Sequence, residues 1–201
     1  MTRFGVLISG SGTNLQAVIN AIDTGLFEAE IPIVISSRQD AYGLVRAEKA
    51  GIPTLALTPD TYSNPWTADD LIVKTLTKAN VDYVILAGYM RKALPPILST
   101  FENRVINLHP SLLPAFPGAN GVRDALEYGV KVTGVTVHFA VEQYDVGPII
   151  AQQAVTIFED DTLESLTNRI HEVEHELLPH VLKLFTEQRV HLDKNGIVRI
   201  L

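Results

Sequence analysis

The chain predicts an α/β fold. The expected architecture is a Rossmann-like, mostly parallel twisted sheet with helices on both faces, becoming mixed toward the C-terminus. Three observations predict it. Short β-branched runs alternate with helical periodicity through the first hundred residues, the pattern of a parallel sheet covered by helices. The run YVILA at 83–87 is apolar on both faces, as a strand covered on both sides must be. After Asn107, strand-like runs follow one another more directly, which predicts antiparallel pairing near the end.

Each element follows in order. Residues 4–9 (FGVLIS) read as a strand and 10–13 (GSGT) as a turn, with helical periodicity over 14–21. Residues 31–36 read as a second strand, with Pro32 at its start, where a missing donor is tolerated. A helix over 41–50 stops at Gly51, and 54–57 is a short strand. Leu71, Ile72, Leu76 and Ala79 recur at three- and four-residue steps and predict a helix over 67–79. Pro95-Pro96 opens a short helix over 94–101, and 105–108 is a strand ending at Asn107-Leu108-His109-Pro110. Residues 111–120 are a Pro/Gly-rich loop, 122–128 a helix, and 133–139 and 149–157 strands. Asp161-Thr162-Leu163-Glu164 has capping-box spacing and opens a long helix to about residue 185, which Pro179 should bend. The tail 190–201 reads as a hairpin turning at Lys194-Asn195-Gly196.

Composition narrows the function. With 201 residues, 46% of them hydrophobic and 19% charged, the chain can build one sizeable core and disorder is not expected. A formal charge of −7 argues against holding nucleic acid or an anionic membrane through bulk charge. The absence of cysteine removes disulfides, thiolate nucleophiles and Cys-ligated metals. No apolar run approaches the ~18 residues of a membrane span, and the start does not resemble a signal peptide, so a cytoplasmic protein is expected.

Three constellations fall at predicted strand ends, where open α/β sheets place ligands. In Gly10-Ser11-Gly12-Thr13-Asn14, glycines let backbone N–H groups approach an anion, and the helix start adds unpaired donors. Leu15 stands where a dinucleotide fingerprint needs its third glycine, and no Gly-Lys-Ser/Thr follows, so one phosphate fits better than two. A plain tight turn is the bland alternative. The second constellation is the segment 88–91. In Asn107-Leu108-His109, residues two apart face the same way, so an amide and an imidazole point together. That pair can hold a developing oxyanion and move a proton, as acyl transfer requires. A lone Asn-x-His is more often a satisfied strand end.

Asp145 lies in a loop between two strands, where an acid is usually a turn residue. Beside His109 it could raise the imidazole pKa and relay a proton through water. His138 faces away from Val135, Val137 and Phe139, so it borders either a site or solvent. Trp66 and Tyr62 read as packing residues, and His180 and His191 as surface. His171-Glu172-Val173-Glu174-His175 fits the zincin pattern H-E-x-x-H. A zinc site there would leave the glycine turn and the Asn-x-His without a role, so a charged helical face is favoured.

Six segments together resemble one family: FGVLISGSGTNLQA, ILAGYMR, INLHPSLLPAFPG, GVTVHF, DVGPIIAQ and RIHEVEH, in this order. The chain is similar to the folate-dependent formyltransferases, and within them to the phosphoribosylglycinamide formyltransferases. The resemblance implies a single domain over 1–201, with a phosphate-binding βα half (1–100), a catalytic and folate-binding half (101–188) and a C-terminal hairpin (189–201). It implies formyl transfer from 10-formyltetrahydrofolate, a cosubstrate, to the amine of glycinamide ribonucleotide, with no metal. It assigns Asn107 and His109 to the tetrahedral oxyanion and Asp145 to proton transfer through a water. Gly12, Thr13 and Asn14 would take the phosphate and Glu174 the ribose. Met90, Arg91, Lys92 and Ala93 would line the folate pocket beside the loop 141–145, with His138 behind the catalytic residues. Partners would be small molecules, with no nucleic acid and no membrane. A homodimer is compatible with this, although no pattern encodes one.

The chain departs from the family pattern at Asn64-Pro65-Trp66, where an Arg is common, at Asn120, where a His is common, and at His171, where a Gln is common. Related deformylases carry an extra N-terminal domain, and tRNA formyltransferases an added C-terminal one. A nucleotide-sensing domain would need the glycine turn but not Asn107, His109 and Asp145 together.

Overall fold

The computed structural model describes residues 1–201 except the side chain of Tyr62; the expectation for that side chain lies outside the described residues. Contacts divide the chain into two compact units, Met1–Asn107 and Leu108–Leu201.

The first unit alternates strand and helix: β1 (Thr2–Ile8), α1 (Thr13–Asp23), β2 (Ala29–Ser36), α2 (Tyr42–Lys49), β3 (Thr54–Ala56), α3 (Pro59–Tyr62), α4 (Pro65–Lys78), β4 (Tyr83–Leu86) and α5 (Pro95–Thr100). β5 (Val105–His109) begins in it. The pairings β3–β2, β2–β1, β1–β4 and β4–β5 are all parallel. The core explains the strand composition. Phe4, Val6, Leu7 and Ile8 are fully buried, so β1 is covered on both faces.

Parallel pairing puts the carboxyl ends of β1, β4 and β5 side by side. Leu7 pairs with Leu86, and Leu86 with Asn107. The turns that follow β1 and β4 are therefore neighbours within this unit, and Asn107 of β5 lies beside the end of β4.

Pro32 is not at the start of its strand but inside β2. It is tolerated because the β1–β2 register shifts there: Arg3 pairs with Glu30 but Gly5 with Ile33. The extra residue makes a bulge, where a missing N–H leaves no ladder bond unmade. The end of α2 follows the expected rule. Gly51 is left-handed at φ 70°, and Ile52 N–H closes back onto the Ala47 carbonyl.

The second unit holds α6 (Gly121–Tyr128), β6 (Val132–Phe139), β7 (Ile149–Thr156), α7 (Leu163–Thr186) and the hairpin β8 (Val190–Leu192) and β9 (Val198–Ile200). β6 and β7 are antiparallel, as are β8 and β9. The seven-stranded sheet has the order β3-β2-β1-β4-β5-β6-β7, mostly parallel and mixed at its end. α7 continues through Pro179. Its cap lies one residue later than the capping-box spacing suggested. Thr162 accepts from Ser165 N–H at 3.1 Å, and Ser165 Oγ accepts from Thr162 N–H at 2.9 Å. Asp161 instead meets Arg169 at 2.7 Å.

Candidate active site

The glycine turn of the first unit is built by the helix behind it. Gly12 is the N-cap residue of α1, left-handed at φ 70°. Its Cα packs on α2, where an added Cβ would lie 2.5 Å from the Gly43 Cα. Glycine is thus required twice over, by conformation and by contact. The Gly10 carbonyl accepts from Gly43 N–H at 3.0 Å, and the Ser11 carbonyl from Arg46 Nε at 2.9 Å. Gly10 and Ser11 are exposed, Thr13 is half-buried and Asn14 is buried. The first N–H groups of α1 lack intrahelical acceptors, which suits an anion.

The turn after β4 is tied to the end of β1. Met90 N–H donates to Ser9 Oγ at 2.8 Å, and Ser9 Oγ meets Ser37 Oγ at 2.6 Å. Leu94 N–H donates to Asp69 at 2.7 Å. Asp69 is fully buried, and burial pushes its carboxyl above the usual range, against the Leu94 N–H and Arg91, which lower it. Met90 is 69% exposed, Arg91 and Lys92 are half-buried, and Ala93 is buried. Of these four, Met90 offers the most side chain to a ligand.

Asn107 ends the first unit on β5, and His109 follows two residues later on the same face of the strand. Pro110, which has no N–H, comes next. In the second unit His109 is buried against two acceptors. Its Nε2 lies 2.9 Å from the Phe116 carbonyl, which only accepts, so Nε2 carries the hydrogen. Its Nδ1 faces Asp145 Oδ2 at 3.6 Å. On the other side of Asp145, His138 Nε2 lies 3.7 Å from Oδ1, while His138 Nδ1 donates to the Phe139 carbonyl at 2.9 Å. The carboxylate therefore sits between two imidazoles, with side-chain exposures of 5%, 2% and 7% for His109, His138 and Asp145.

Burial alone would raise the Asp145 carboxyl. The His138 imidazole, the Gly118 N–H at 2.8 Å and the His109 ring outweigh it and hold the carboxyl below its ordinary value.

The backbone is bent to make this cluster. Asp145 is left-handed at φ 54° and Phe116 at φ 52°. Aspartate takes this region more readily than most residues; for a phenylalanine it is costly. The Phe116 strain aims a carbonyl at His109. An added Cβ on Gly147 would lie 1.8 Å from the Phe139 carbonyl, so only glycine lets the loop close beside β6. Thr136 Oγ1 donates to the Ser111 carbonyl at 2.7 Å and accepts from Leu113 N–H at 3.1 Å, fixing the loop behind His109.

The expected proximity of Asp145 to His109 is present, and His138 borders that cluster rather than solvent. Glu174 is buried on α7. His171 and His175 stack with ring centroids 6.2 Å apart on the same helix. Among the described residues, no group of three or more His, Cys, Asp or Glu could hold a metal ion. His180 and His191 are exposed, as expected. Trp66 is not a packing residue: it is 55% exposed at the start of α4, where the Asn64 side chain caps the helix. Asn120 precedes α6 and makes no capping bond.

Sequence reasoning missed Ser9, Ser37, Gly43, Arg46, Asp69, Thr136 and the Phe116 carbonyl. Gly43 and Arg46 lie inside a recognisable helix, but nothing local marks them as facing the glycine turn. A backbone carbonyl has no signature at all.

The fold is an α/β sheet, mostly parallel, and the buried imidazole–carboxylate cluster lies at a strand end, where such sheets place ligands. The chain belongs to the formyl transferase family, whose model matches residues 2–182. Members transfer one-carbon groups. Phosphoribosylglycinamide formyltransferase of Haemophilus influenzae is 43% identical over 195 residues, covering 97% of this chain and 92% of that protein. The human trifunctional purine biosynthetic protein adenosine-3 is 43% identical over 194 residues, 96% of this chain but 19% of that protein. The crystal structure of glycinamide ribonucleotide transformylase 1 from Symbiobacterium toebii superposes with a TM-score of 0.96 at 49% identity, covering 100% of this chain and 94% of that one. No helix of the described residues is long and apolar enough to cross a membrane.

Proposed function

We propose that the protein transfers the formyl group of 10-formyltetrahydrofolate to the amine of N1-(5-phospho-D-ribosyl)glycinamide in purine synthesis. The observation that carries this reading is the His109–Asp145–His138 cluster at the end of β5, in a chain of this family. The folate is a substrate that leaves after each turnover.

The neutral amine attacks the formyl carbon. A new C–N bond forms, and the formyl oxygen gains negative charge in the tetrahedral intermediate. The Asn107 side-chain amide and His109, with a proton on Nδ1 because Nε2–H is held by the Phe116 carbonyl, stabilise that oxygen; removal of one such donor typically costs ~10²–10³ in rate. The bond from carbon to folate N10 then breaks, and the proton lost by the amine reaches N10. Asp145 carries that proton by way of a water. Its carboxylate is held charged by its neighbours, and a gap of 3.6 Å to His109 is wider than a direct hydrogen bond. Gly12, Thr13 and Asn14 bind the ribonucleotide phosphate, and Glu174 the ribose. Met90, Arg91, Lys92 and Ala93 contact the folate, with the loop 141–145. The single domain with a nucleotide half and a catalytic half is part of the same reading, as are a cytoplasmic location and small-molecule partners.

The test is a spectroscopic assay of folate release from the formyl donor, with and without the ribonucleotide, in EDTA. Turnover only with the ribonucleotide is expected. Turnover without it means water is the acceptor, and loss of activity in EDTA means a metal enzyme.

A further inference from the structure

We infer that Arg46 of α2 is a positioning residue for the anion site: it orients the peptide planes of the Gly10–Gly12 turn so that their N–H groups face the ligand. This rests on the proposed phosphate-binding role of that turn, and adds to it a residue outside the turn.

The argument is stereochemical. A trans peptide is planar, so its carbonyl and its N–H point in opposite directions. The Gly10 carbonyl is held by Gly43 N–H of α2, so the Ser11 N–H of the same peptide points away from α2. The Ser11 carbonyl is held by Arg46 Nε, so the Gly12 N–H points away from α2 as well. Gly12 is left-handed and leads directly into α1. Successive N–H groups converging at such a turn form an anion-binding concavity. Without Arg46, the Ser11–Gly12 peptide loses the only side-chain donor that holds its carbonyl among the described residues.

Arg46 is itself fixed. Its Nη1 donates to Gln16 Oε1 at 3.2 Å, and its guanidinium lies 5.0 Å from the centre of the Tyr42 ring. Gln16 belongs to α1, so the one side chain ties the turn to the helices on both sides of it. The fork of the guanidinium matters here. Lysine can reach one acceptor but cannot bridge two in a fixed plane.

The experiment titrates ¹⁵N-labelled protein with inorganic phosphate and follows the Ser11 and Gly12 amides by NMR, in the wild type, Arg46→Ala and Arg46→Lys. Steady-state kinetics with the ribonucleotide and with its dephosphorylated counterpart accompany it. Saturable shifts at both amides are expected in the wild type. The dissociation constant for phosphate should rise about tenfold or more in Arg46→Ala, and less in Arg46→Lys. KM for the ribonucleotide should rise in parallel while kcat and behaviour toward the dephosphorylated acceptor stay as in the wild type.

Unchanged phosphate affinity in folded Arg46→Ala overturns the inference, as does an equal loss toward both acceptors. If Arg46→Ala does not fold, Arg46→Lys decides alone: wild-type affinity overturns the inference. A wild type whose Ser11 and Gly12 amides ignore phosphate overturns it too. In that event, turnover with the ribonucleotide shows that the overall reaction still stands, and its absence shows that the functional reading has failed as well.

Discussion

The glycine turn after β1 and the imidazole–carboxylate cluster after β5 both lie at a strand end, yet they are made of different material. The first is backbone. Its proposed working groups are N–H donors, and what stands behind them is the missing Cβ atoms of Gly12 and Gly43 and the Arg46 guanidinium. The second is side chain. His109, His138 and Asp145 come from two strands and a loop, and the backbone around them is strained to aim them. A backbone site is damaged by adding atoms or removing supports, and should show it in affinity. A side-chain site is damaged by deleting the group itself, and should show it in the chemical step.

The largest effects should therefore come from the cluster. His109→Ala and Asn107→Ala should each lower kcat by at least ~10²–10³. Asp145→Asn should cut kcat heavily and leave nucleotide binding largely intact. Near-wild-type turnover in any of the three would remove that residue from the mechanism.

Asp145 also gives a pH test. Its carboxyl is below its ordinary value in the fold, so it stabilises the folded state above the unfolded pKa of about 3.9. That contribution is lost as pH falls through the lower folded value. Urea unfolding of wild type and Asp145→Asn should show a gap that is constant near neutrality and shrinks below about pH 4. A gap that grows on acidification would mean the carboxylate is destabilised by its burial instead.

Gly12→Ala is the matching break in the backbone site. The left-handed conformation alone should cost about 1–2 kcal/mol, before the contact with Gly43 is counted. The prediction is a raised KM for the ribonucleotide, a lower Tm and a kcat much closer to wild type than that of His109→Ala. A kcat loss as large as that of His109→Ala would erase the distinction between the two regions.

The same distinction explains what the sequence revealed. The alternation of strand and helix, the stop at Gly51 and the Asn107/His109 pair are local patterns, and each is legible from a few consecutive residues. Pro32 was misplaced because its tolerance depends on a bulge against β1, which is a relation between strands. Trp66 reads as a packing residue because aromatic residues usually bury area, yet its helix starts at a cap that leaves it in solvent. The closeness of Asp145 to His109 and His138 depends on where a loop turns at the left-handed Asp145. Neither spacing nor periodicity encodes that; the resemblance to a family supplied it as an expectation.

A small effect completes the comparison because it should touch neither region. Thr162 caps α7 by accepting from Ser165 N–H, and its loss leaves that donor unpaired at the end of a 24-residue helix. Thr162→Ala should cost about 1 kcal/mol and lower Tm by roughly 2–4 °C. Thr162→Asp keeps an acceptor and adds negative charge at the positive end of the helix, so it should hold or raise Tm. Both variants should keep wild-type kcat and KM at 25 °C, because α7 is anchored along its length by Leu166, Ile170, Leu178, Val181 and Leu182, all fully buried. A rise in KM for the ribonucleotide in Thr162→Ala would show that the stability of the first turn of α7 reaches Glu174, the residue proposed to hold the ribose.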